Sequence, residues 1–310
     1  MATTVNTKPA HSSTGHSRDI SRREFCMAIG AAGLGATGLS ALASTQPAHE
    51  TTLPRLTVIA YNIYGGKGWP HDRPLAKKAV AAGQLPKRLA MELALYEPDI
   101  INFSESPSEA VAKEVAEHLG MNHVRFPSGG HWPGTLLSRF EITHSENVPL
   151  GYERPKDLFT RHWGRGVILL PGGMPLVVHS AHLYPTADPA IRLREIKAML
   201  AAMKDDLQAG RSMLLMGDLN HTPDTEEYKL WIDAGWIDTF VKVGEGEGLT
   251  IRADTLKRRI DYVMAAGPIA NQITSSRPLF AGAFRLNTLD DNSFALSDHV
   301  PQMATFGDKK

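Results

Sequence analysis

The sequence is poor in cysteine, in net charge and in long apolar runs. Among its 310 residues there is one cysteine, Cys26, and 33 basic residues balance 33 acidic ones. A single cysteine excludes an internal disulfide, and no thiolate cluster is available to hold a structural zinc ion. The lack of excess positive charge argues against a protein that binds nucleic acid through its overall charge.

The first 43 residues differ in composition from the rest of the chain. Residues 1–20 are polar, which is typical of disordered segments. They are followed by SRREFCM (21–27) and by an Ala/Gly-rich apolar run that closes with Ala-Leu-Ala at 41–43. This order resembles a twin-arginine export signal, and the run is short and weakly apolar for the alternative, a membrane anchor. We predict a signal peptide over residues 1–43, a linker over 44–53, and an exported, periplasmic or secreted protein with no transmembrane span in the mature chain.

Short apolar runs bounded by turn residues recur from residue 54 to residue 307. Residues 165–183 hold two such runs joined by Pro-Gly-Gly, which predicts a hairpin. Amphipathic segments predict helices near residues 87–98 and 187–210. Because hairpins are mixed with helices, we predict one α/β domain with mainly antiparallel or mixed sheets. The strand-like runs are apolar on both sides, which predicts sheets buried on both faces with helices outside. Single strands are predicted over residues 55–66, 99–105, 212–220 and 258–267. A strand with a turn in it is predicted over 135–142, and a loop followed by a strand over 296–306.

Polar side chains end or interrupt most of these runs. Each of them alone is compatible with a turn, a cap, a surface charge or a satisfied core histidine. As a set they are rich in oxygen and free of thiols, which suits Mg²⁺ or Mn²⁺, and two histidines could donate to an oxyanion. This chemistry is the one that phosphoester hydrolysis requires. The residues are Asn62, Glu105, His182, Asp218, Asn220, Asp261, Asp298 and His299.

The motifs that carry these residues resemble the endonuclease/exonuclease/phosphatase superfamily. In chain order they are NIYGG, PDIINFSES, TLLSRFEI, HSAHL, GDLNHTPD, RRIDYV and LSDHVP, and they span residues 56–306. The resemblance implies a four-layer α/β sandwich, in which two mainly antiparallel sheets pack face to face with helices outside. It also implies a metal-dependent hydrolase of a phosphate ester, which acts by direct attack of an activated water.

The resemblance implies a role for each carboxylate and amide in the motifs. Glu105 would be the principal ligand of Mg²⁺ or Mn²⁺, with Asn62 beside it and Asp298 near the metal. Asp218 would orient or deprotonate the attacking water. Asn220 would help to hold that water and the phosphate.

The histidines are implied to stabilise the charge that develops on the phosphate. His182 and His299 would donate hydrogen bonds to its non-bridging oxygens. Asp261, a carboxylate within the apolar run RRIDYVMAAG, would accept a hydrogen bond from the ring of His299, which favours the imidazolium. The alternative for this buried carboxylate is an ion pair with Arg258 or Arg259.

Three further residues are candidates for substrate binding. Arg165 falls where members of the superfamily often carry a basic residue, and it could bind phosphate or be a surface arginine. His131 and Trp163 lie in HWPG and RHWGRG and could line the cleft. An aromatic ring there could stack on a base or a sugar, although core packing is the commoner use of tryptophan.

The sequence leaves the substrate and the oligomeric state open. The ester could be a phosphodiester or a phosphomonoester. A secreted nuclease acting on DNA or RNA and a catalytically silent binding module on the same fold are the alternatives. Nucleic acid is not favoured, because the charge is neutral and because EGLTIRADTLK stands where repair nucleases carry a tryptophan-rich stretch.

Overall fold

The computed structural model describes residues 55–308, so the predicted signal peptide and linker lie outside the described residues. The strands are β1 (Leu56–Asn62), β2 (Ile100–Ser104), β3 (Asn122–Phe126), β4 (Gly134–Ser138), β5 (Ile142–Asn147), β6 (His162–Leu170), β7 (Met174–His182), β8 (Met213–Asp218), β9 (Ile237–Asp238), β10 (Asp261–Ala266), β11 (Ile273–Pro278) and β12 (Gln302–Phe306). The helices are α1 (Pro74–Ala81), α2 (Leu85–Ala94), α3 (Glu109–Leu119), α4 (Ala190–Gln208), α5 (Glu226–Asp233) and α6 (Thr239–Val243).

The strands form two six-stranded mixed sheets. The first has the order β11-β12-β1-β2-β4-β3 and the second the order β5-β6-β7-β8-β10-β9. In each sheet one central pair is parallel, β1 with β2 and β7 with β8, and the other pairs are antiparallel. Each parallel pair needs a crossover, and the crossovers contain the long amphipathic segments α1–α2 and α4.

Side chains point alternately to the two faces of each sheet, and the apolar ones form three layers. Side chains such as Val58, Leu214 and Val263 fill the space between the two sheets. The opposite face of the first sheet packs on α2 and α3, and that of the second packs on α4 and α5. The predicted four-layer α/β sandwich is therefore confirmed. No helix within residues 55–308 is both long and apolar enough to span a membrane.

The strand period also decides which polar side chains meet. A strand presents every second residue to the same face. In β1, β2, β7 and β8, residues two or four positions after an inter-sheet apolar residue therefore also face the opposite sheet. At one end of the sandwich these positions are occupied by Asn62, Ser104, His182 and Asp218, all buried. Asp261 joins them because its strand is antiparallel to β8 and pairs it with Asp218.

Most predicted elements are present with limits that differ by a few residues, and two details of the prediction are informative. Asp261 does not interrupt a strand, as the apolar run suggested, but is the first residue of β10. Its carboxylate is nevertheless buried, because the strand starts deep between the sheets. The turn predicted within residues 135–142 is present, and it separates β4 from the start of β5, which belong to different sheets.

Candidate active site

An amide joins the two sheets at this end of the sandwich. The Nδ2 atom of Asn62 lies 3.3 Å from Oε1 of Glu105 and 3.0 Å from Oδ2 of Asp218, and donates to both. Its Oδ1 accepts a hydrogen bond from the backbone N–H of Tyr64 at 3.1 Å, which fixes the orientation of the amide. One carboxylate from each sheet is thus held on either side of a single side chain.

Glu105 leaves the end of β2 in an unusual backbone conformation. Its φ is +50°, in the left-handed region that is uncommon for a residue with a side chain. The N–H of Gly65 donates to its carbonyl oxygen at 2.9 Å and helps to hold this turn. Burial raises the pKa of the half-buried Glu105 carboxyl, and nearby Asp298 raises it further, against the hydrogen bond from Asn62. Negative charge therefore accumulates around Glu105.

Asp218 is the central residue among those that the second sheet places in the candidate site. The strand register aligns it with His182 on one side and Asp261 on the other. Burial, followed by the charge of Asp261, raises the pKa of Asp218 to about 7. The next turn brings Asn220 against it, with the N–H of Asn220 donating to Oδ1 of Asp218 at 3.1 Å. The side-chain amide of Asn220 donates to the carbonyl of Leu183 at 3.0 Å and so ties this turn to the end of β7.

The predicted hydrogen bond between Asp261 and His299 is present. Oδ2 of Asp261 lies 2.8 Å from Nδ1 of His299. Burial lowers the pKa of His299, but the charges of Asp261, Asp218 and Asp298 outweigh it and raise the pKa to about 10. The alternative ion pair is not formed, because Arg259 pairs with Asp238 and Arg258 makes no ion pair within residues 55–308. His299 is therefore an imidazolium whose Nε2 lies 3.9 Å from Asp218.

His182 lies on the opposite side of Asp218 from His299. Its Nε2 is 3.6 Å from Oδ2 of Asp218, and its ring is buried. Burial lowers the pKa of His182 well below its ordinary value, and neighbouring positive charges lower it further. The strand partner of His182 is His162, whose ring centroid is 6.3 Å away. The site thus contains one charged and one neutral imidazole.

Two hydroxyl groups that the sequence analysis did not select hold the site together. Ser297 donates from Oγ to the carbonyl of Asn62 at 2.7 Å, and its Oγ accepts from the N–H of His299 at 3.1 Å. Thr250 accepts from the N–H of Asp261 at 3.2 Å. Ser297 connects segments that are far apart along the chain, and Thr250 closes the loop that leads into β10. Neither contact has a local signal in the sequence.

Two of the residues predicted to bind substrate, Trp163 and Arg165, lie on the helix-facing side of β6 and not beside the carboxylates. Trp163 is completely buried on the helix-facing side of β6, where it packs in the core against α4. Arg165 lies on the same side of the strand and pairs with Asp206 of α4 at 3.0 Å. His131 is exposed and lies beside Trp132, with ring centroids 6.2 Å apart.

The basic residue that reaches the site is Arg161. Its guanidinium carbon lies 3.6 Å from the centre of the Trp132 ring, and its charge acts on Glu105 and Asp218. The hairpin register could have identified it. Counting back from the Pro-Gly-Gly turn aligns His182 with residue 162, so residue 161 lies at the open end and Arg165 lies three pairs away.

The fold and this arrangement agree with a known family. Residues 59–299 match the model of the Endonuclease/Exonuclease/phosphatase family. The chain belongs to the endonuclease/exonuclease/phosphatase family. Members of this family are metal-dependent phosphoester hydrolases, so the coarser part of the predicted function is confirmed. No match was found among curated protein sequences.

Solved structures of family members share the fold at low sequence identity. An endonuclease/exonuclease/phosphatase family protein from Bacteroides thetaiotaomicron has a TM-score of 0.64 and 16% identity, covering 83% of this chain and 99% of that one. The mannosyl-6-phosphatase Bt3783 of the same species has a TM-score of 0.64 and 16% identity, covering 80% and 98%. Truncated TDP2 from Caenorhabditis elegans has a TM-score of 0.61 and 15% identity, covering 82% and 98%.

The residues of this family member fit a divalent cation. Asp218, Asp261 and His299 offer ligand atoms that all lie within 4.8 Å of one another. In that group, however, Nδ1 of His299 is engaged by Asp261, and Oδ2 of Asp218 accepts a hydrogen bond from Asn62. The oxygen atoms around Glu105 suit a hard cation better than the group with His299 does. Asp298 adds a second negative charge there and has no basic ion-pair partner within residues 55–308.

Proposed function

We propose that this chain is an exported phosphoester hydrolase that uses Mg²⁺ or Mn²⁺ and a directly activated water. The observation that carries the proposal is the hydrogen-bonded set at the sheet edge. In it, Asn62 joins Glu105 to Asp218, and Asp261 holds a charged His299 on the other side of Asp218. A carboxylate that can take a proton and an imidazolium that can donate one face the same space.

Glu105 and Asp298 would hold the cation, with the Asn62 amide beside them. A bound divalent ion would draw charge from the phosphate and offset the repulsion between these carboxylates. The raised pKa of Asp218 suits it to accept a proton from water, and Asn220 fixes the turn on which it lies.

Three side chains would donate hydrogen bonds to the phosphate oxygens. His299 donates from Nε2 as a cation, since Nδ1 is engaged by Asp261. His182 is neutral and donates without adding charge. Arg161 replaces Arg165 as the basic residue of the site, because its guanidinium faces the catalytic carboxylates.

Export is proposed from residues 21–43 alone. They combine the paired arginines, the weakly apolar run and the Ala-Leu-Ala end of a twin-arginine-type signal. A protein with this signal would act in the periplasm or outside the cell on soluble or surface phosphate esters.

The first prediction is metal-dependent hydrolysis that requires Glu105. The purified protein is assayed with bis-p-nitrophenyl phosphate and p-nitrophenyl phosphate in Mg²⁺, Mn²⁺ or EDTA. We expect release of nitrophenol with metal, none in EDTA, and a loss of about 10²-fold or more in Glu105→Gln, because the charge that holds the ion is gone. The preferred ester distinguishes a phosphodiesterase from a phosphomonoesterase.

Glu114→Gln is the matched control, because Glu114 is an exposed carboxylate on α3 outside the site. It should retain the activity of the wild type. Hydrolysis that persists in EDTA or in Glu105→Gln would contradict the proposal. Failure to hydrolyse a wide panel of monoesters and diesters, with metal binding intact, would support the binding module instead.

A further inference from the structure

A buried carboxylate outside the catalytic set connects two segments that carry site residues. Glu195 of α4 has no exposed surface. Its Oε1 accepts a hydrogen bond from the N–H of Phe159 at 2.7 Å, and its Oε2 accepts one from the N–H of Tyr184 at 3.0 Å. An ionised carboxylate is the side chain that can accept at both ends, and glutamine cannot.

Both segments lead directly into the site. Phe159 is two residues before Arg161, and Tyr184 is two residues after His182. Phe159 has φ of +53°, a left-handed conformation that is costly for a residue with a side chain and persists only where its surroundings hold it. The hydrogen bond from its N–H to Glu195 is part of what holds it.

The guanidinium of Arg161 has no ionic partner of its own. Within residues 55–308 it makes no ion pair and no side-chain hydrogen bond, and its Nε is buried without a partner. It rests on the ring of Trp132, and its charge acts on Glu105 and Asp218. Its direction is therefore set by the backbone before β6 and by the stacked ring.

The two segments differ in how much they depend on Glu195. The carbonyl of Tyr184 also accepts a hydrogen bond from Arg192 at 3.0 Å, and Arg192 is itself fixed by Glu227 at 2.8 Å. The segment before β6 is held more loosely: Asp157 makes only an exposed ion pair with Arg194 of α4, and the carbonyl of Phe159 accepts from the N–H of Gly129 at 3.3 Å. Glu195 is the buried acceptor for the N–H of Phe159. Loss of the Glu195 carboxylate should therefore disturb Arg161 more than His182.

We infer that Glu195 is a positioning residue that holds Arg161 toward the catalytic carboxylates, where the guanidinium binds the phosphate group of the substrate. The inference rests on the proposed function. Because Arg161 would hold the phosphate group in the bound substrate and in the transition state alike, its displacement should weaken binding more than it slows the chemical step.

The test is Glu195→Gln, assayed with the better p-nitrophenyl ester in Mg²⁺. Measurements are made at pH 8, because burial raises the pKa of Glu195 to about 7 against its two N–H donors and Arg192. We expect KM to rise about tenfold while kcat changes by less than about threefold. The dissociation constant of inorganic phosphate, measured by calorimetry, should rise by the same factor as KM.

Two comparisons separate this role from a general loss of stability. Asp99→Asn is the matched control, because Asp99 is a buried carboxylate that accepts the N–H of Thr57 at 2.8 Å at the other end of β2. It should lower the melting temperature and leave KM unchanged. Arg161→Met should raise KM by itself, and adding Glu195→Gln to Arg161→Met should raise it no further.

An unchanged KM and phosphate affinity in folded Glu195→Gln would overturn the inference, and so would additive effects in the double variant. If Glu195→Gln does not fold, Glu195→Asp takes its place, because it keeps the charge but is one methylene too short to reach both donors. If the wild type hydrolyses no ester, the proposed function fails, and the phosphate dissociation constants still decide whether Glu195 acts through Arg161.

Discussion

At the scale of single residues, the charge of His299 depends on one neighbour more than on its burial. An isolated imidazole at this depth would be neutral, as the pKa values of about 3 for buried His162 and His179 illustrate. The carboxylate of Asp261 reverses this outcome through a hydrogen bond of 2.8 Å. The proton that would be offered to the phosphate is thus kept on the ring by a residue that does not touch the substrate.

Replacement of Asp261 by asparagine should separate catalysis from folding. Asn has nearly the same volume but no charge, so His299 would lose its proton near neutral pH and kcat should fall by about 10²-fold or more. Circular dichroism and thermal melting should remain close to the wild type. Asp238→Asn is the control, because Asp238 is also buried but pairs with Arg259 away from the site. It should cost stability and leave kcat intact, and a wild-type rate in Asp261→Asn would refute this role.

At the scale of the elements, strand β6 is shaped by its glycines. Gly164 and Gly166 occupy positions that face the opposite sheet, and a Cβ atom at Gly164 would lie 2.0 Å from the ring of Phe126. The ring fills the space that the missing side chain leaves, and it belongs to the inter-sheet core. This close approach lets β6 run past β3 to the open end, where His162 begins the strand and Arg161 precedes it.

Gly164→Ala should therefore destabilise the domain by overpacking. The added methyl group must displace Phe126, and we expect a loss of about 1–3 kcal/mol in the free energy of unfolding. The measurement is urea denaturation followed by circular dichroism. Phe126→Leu in the same chain should recover part of the loss, because it removes the ring that the methyl group meets. A double variant less stable than both single variants would contradict this explanation.

At the scale of the whole molecule, the site exists because two sheets face each other. Asn62 and Glu105 come from the first sheet, while Asp218 and Asp261 come from the second. Their negative charges are brought close by packing that the apolar core stabilises, and part of that stability is offset by their mutual repulsion.

A divalent cation should relieve this repulsion and stabilise the folded domain. Ligand that binds only the folded state adds about 2.7 kcal/mol at a hundredfold excess over its dissociation constant. We expect Mg²⁺ to raise the melting temperature of the wild type and of Glu114→Gln, but to have little effect on Glu105→Gln. Without metal, Glu105→Gln should be at least as stable as the wild type, because one repelling charge has been removed. Equal Mg²⁺ shifts in all three proteins would rule out Glu105 as a ligand.

The order of residues along the chain was enough to predict the family, the sandwich and most residues of the candidate site. Apolar runs of strand length, Pro-Gly-Gly at the hairpin and polar residues at strand ends are local signals, and the motif order placed Glu105, Asp218 and His299 in one site. The tertiary structure alone decided which side chains meet across the sheets. The sheet face to which a side chain points is set by its position in the strand and by the pairing register. A shift of one residue moves the side chain to the other face. For that reason Arg165 and Trp163 point to the helices. Arg161 has the same parity but reaches the site because it precedes the first residue of β6 and is outside the strand alternation. The contacts of Ser297, Thr250 and Glu195 depend on tertiary packing and had no signal in the sequence.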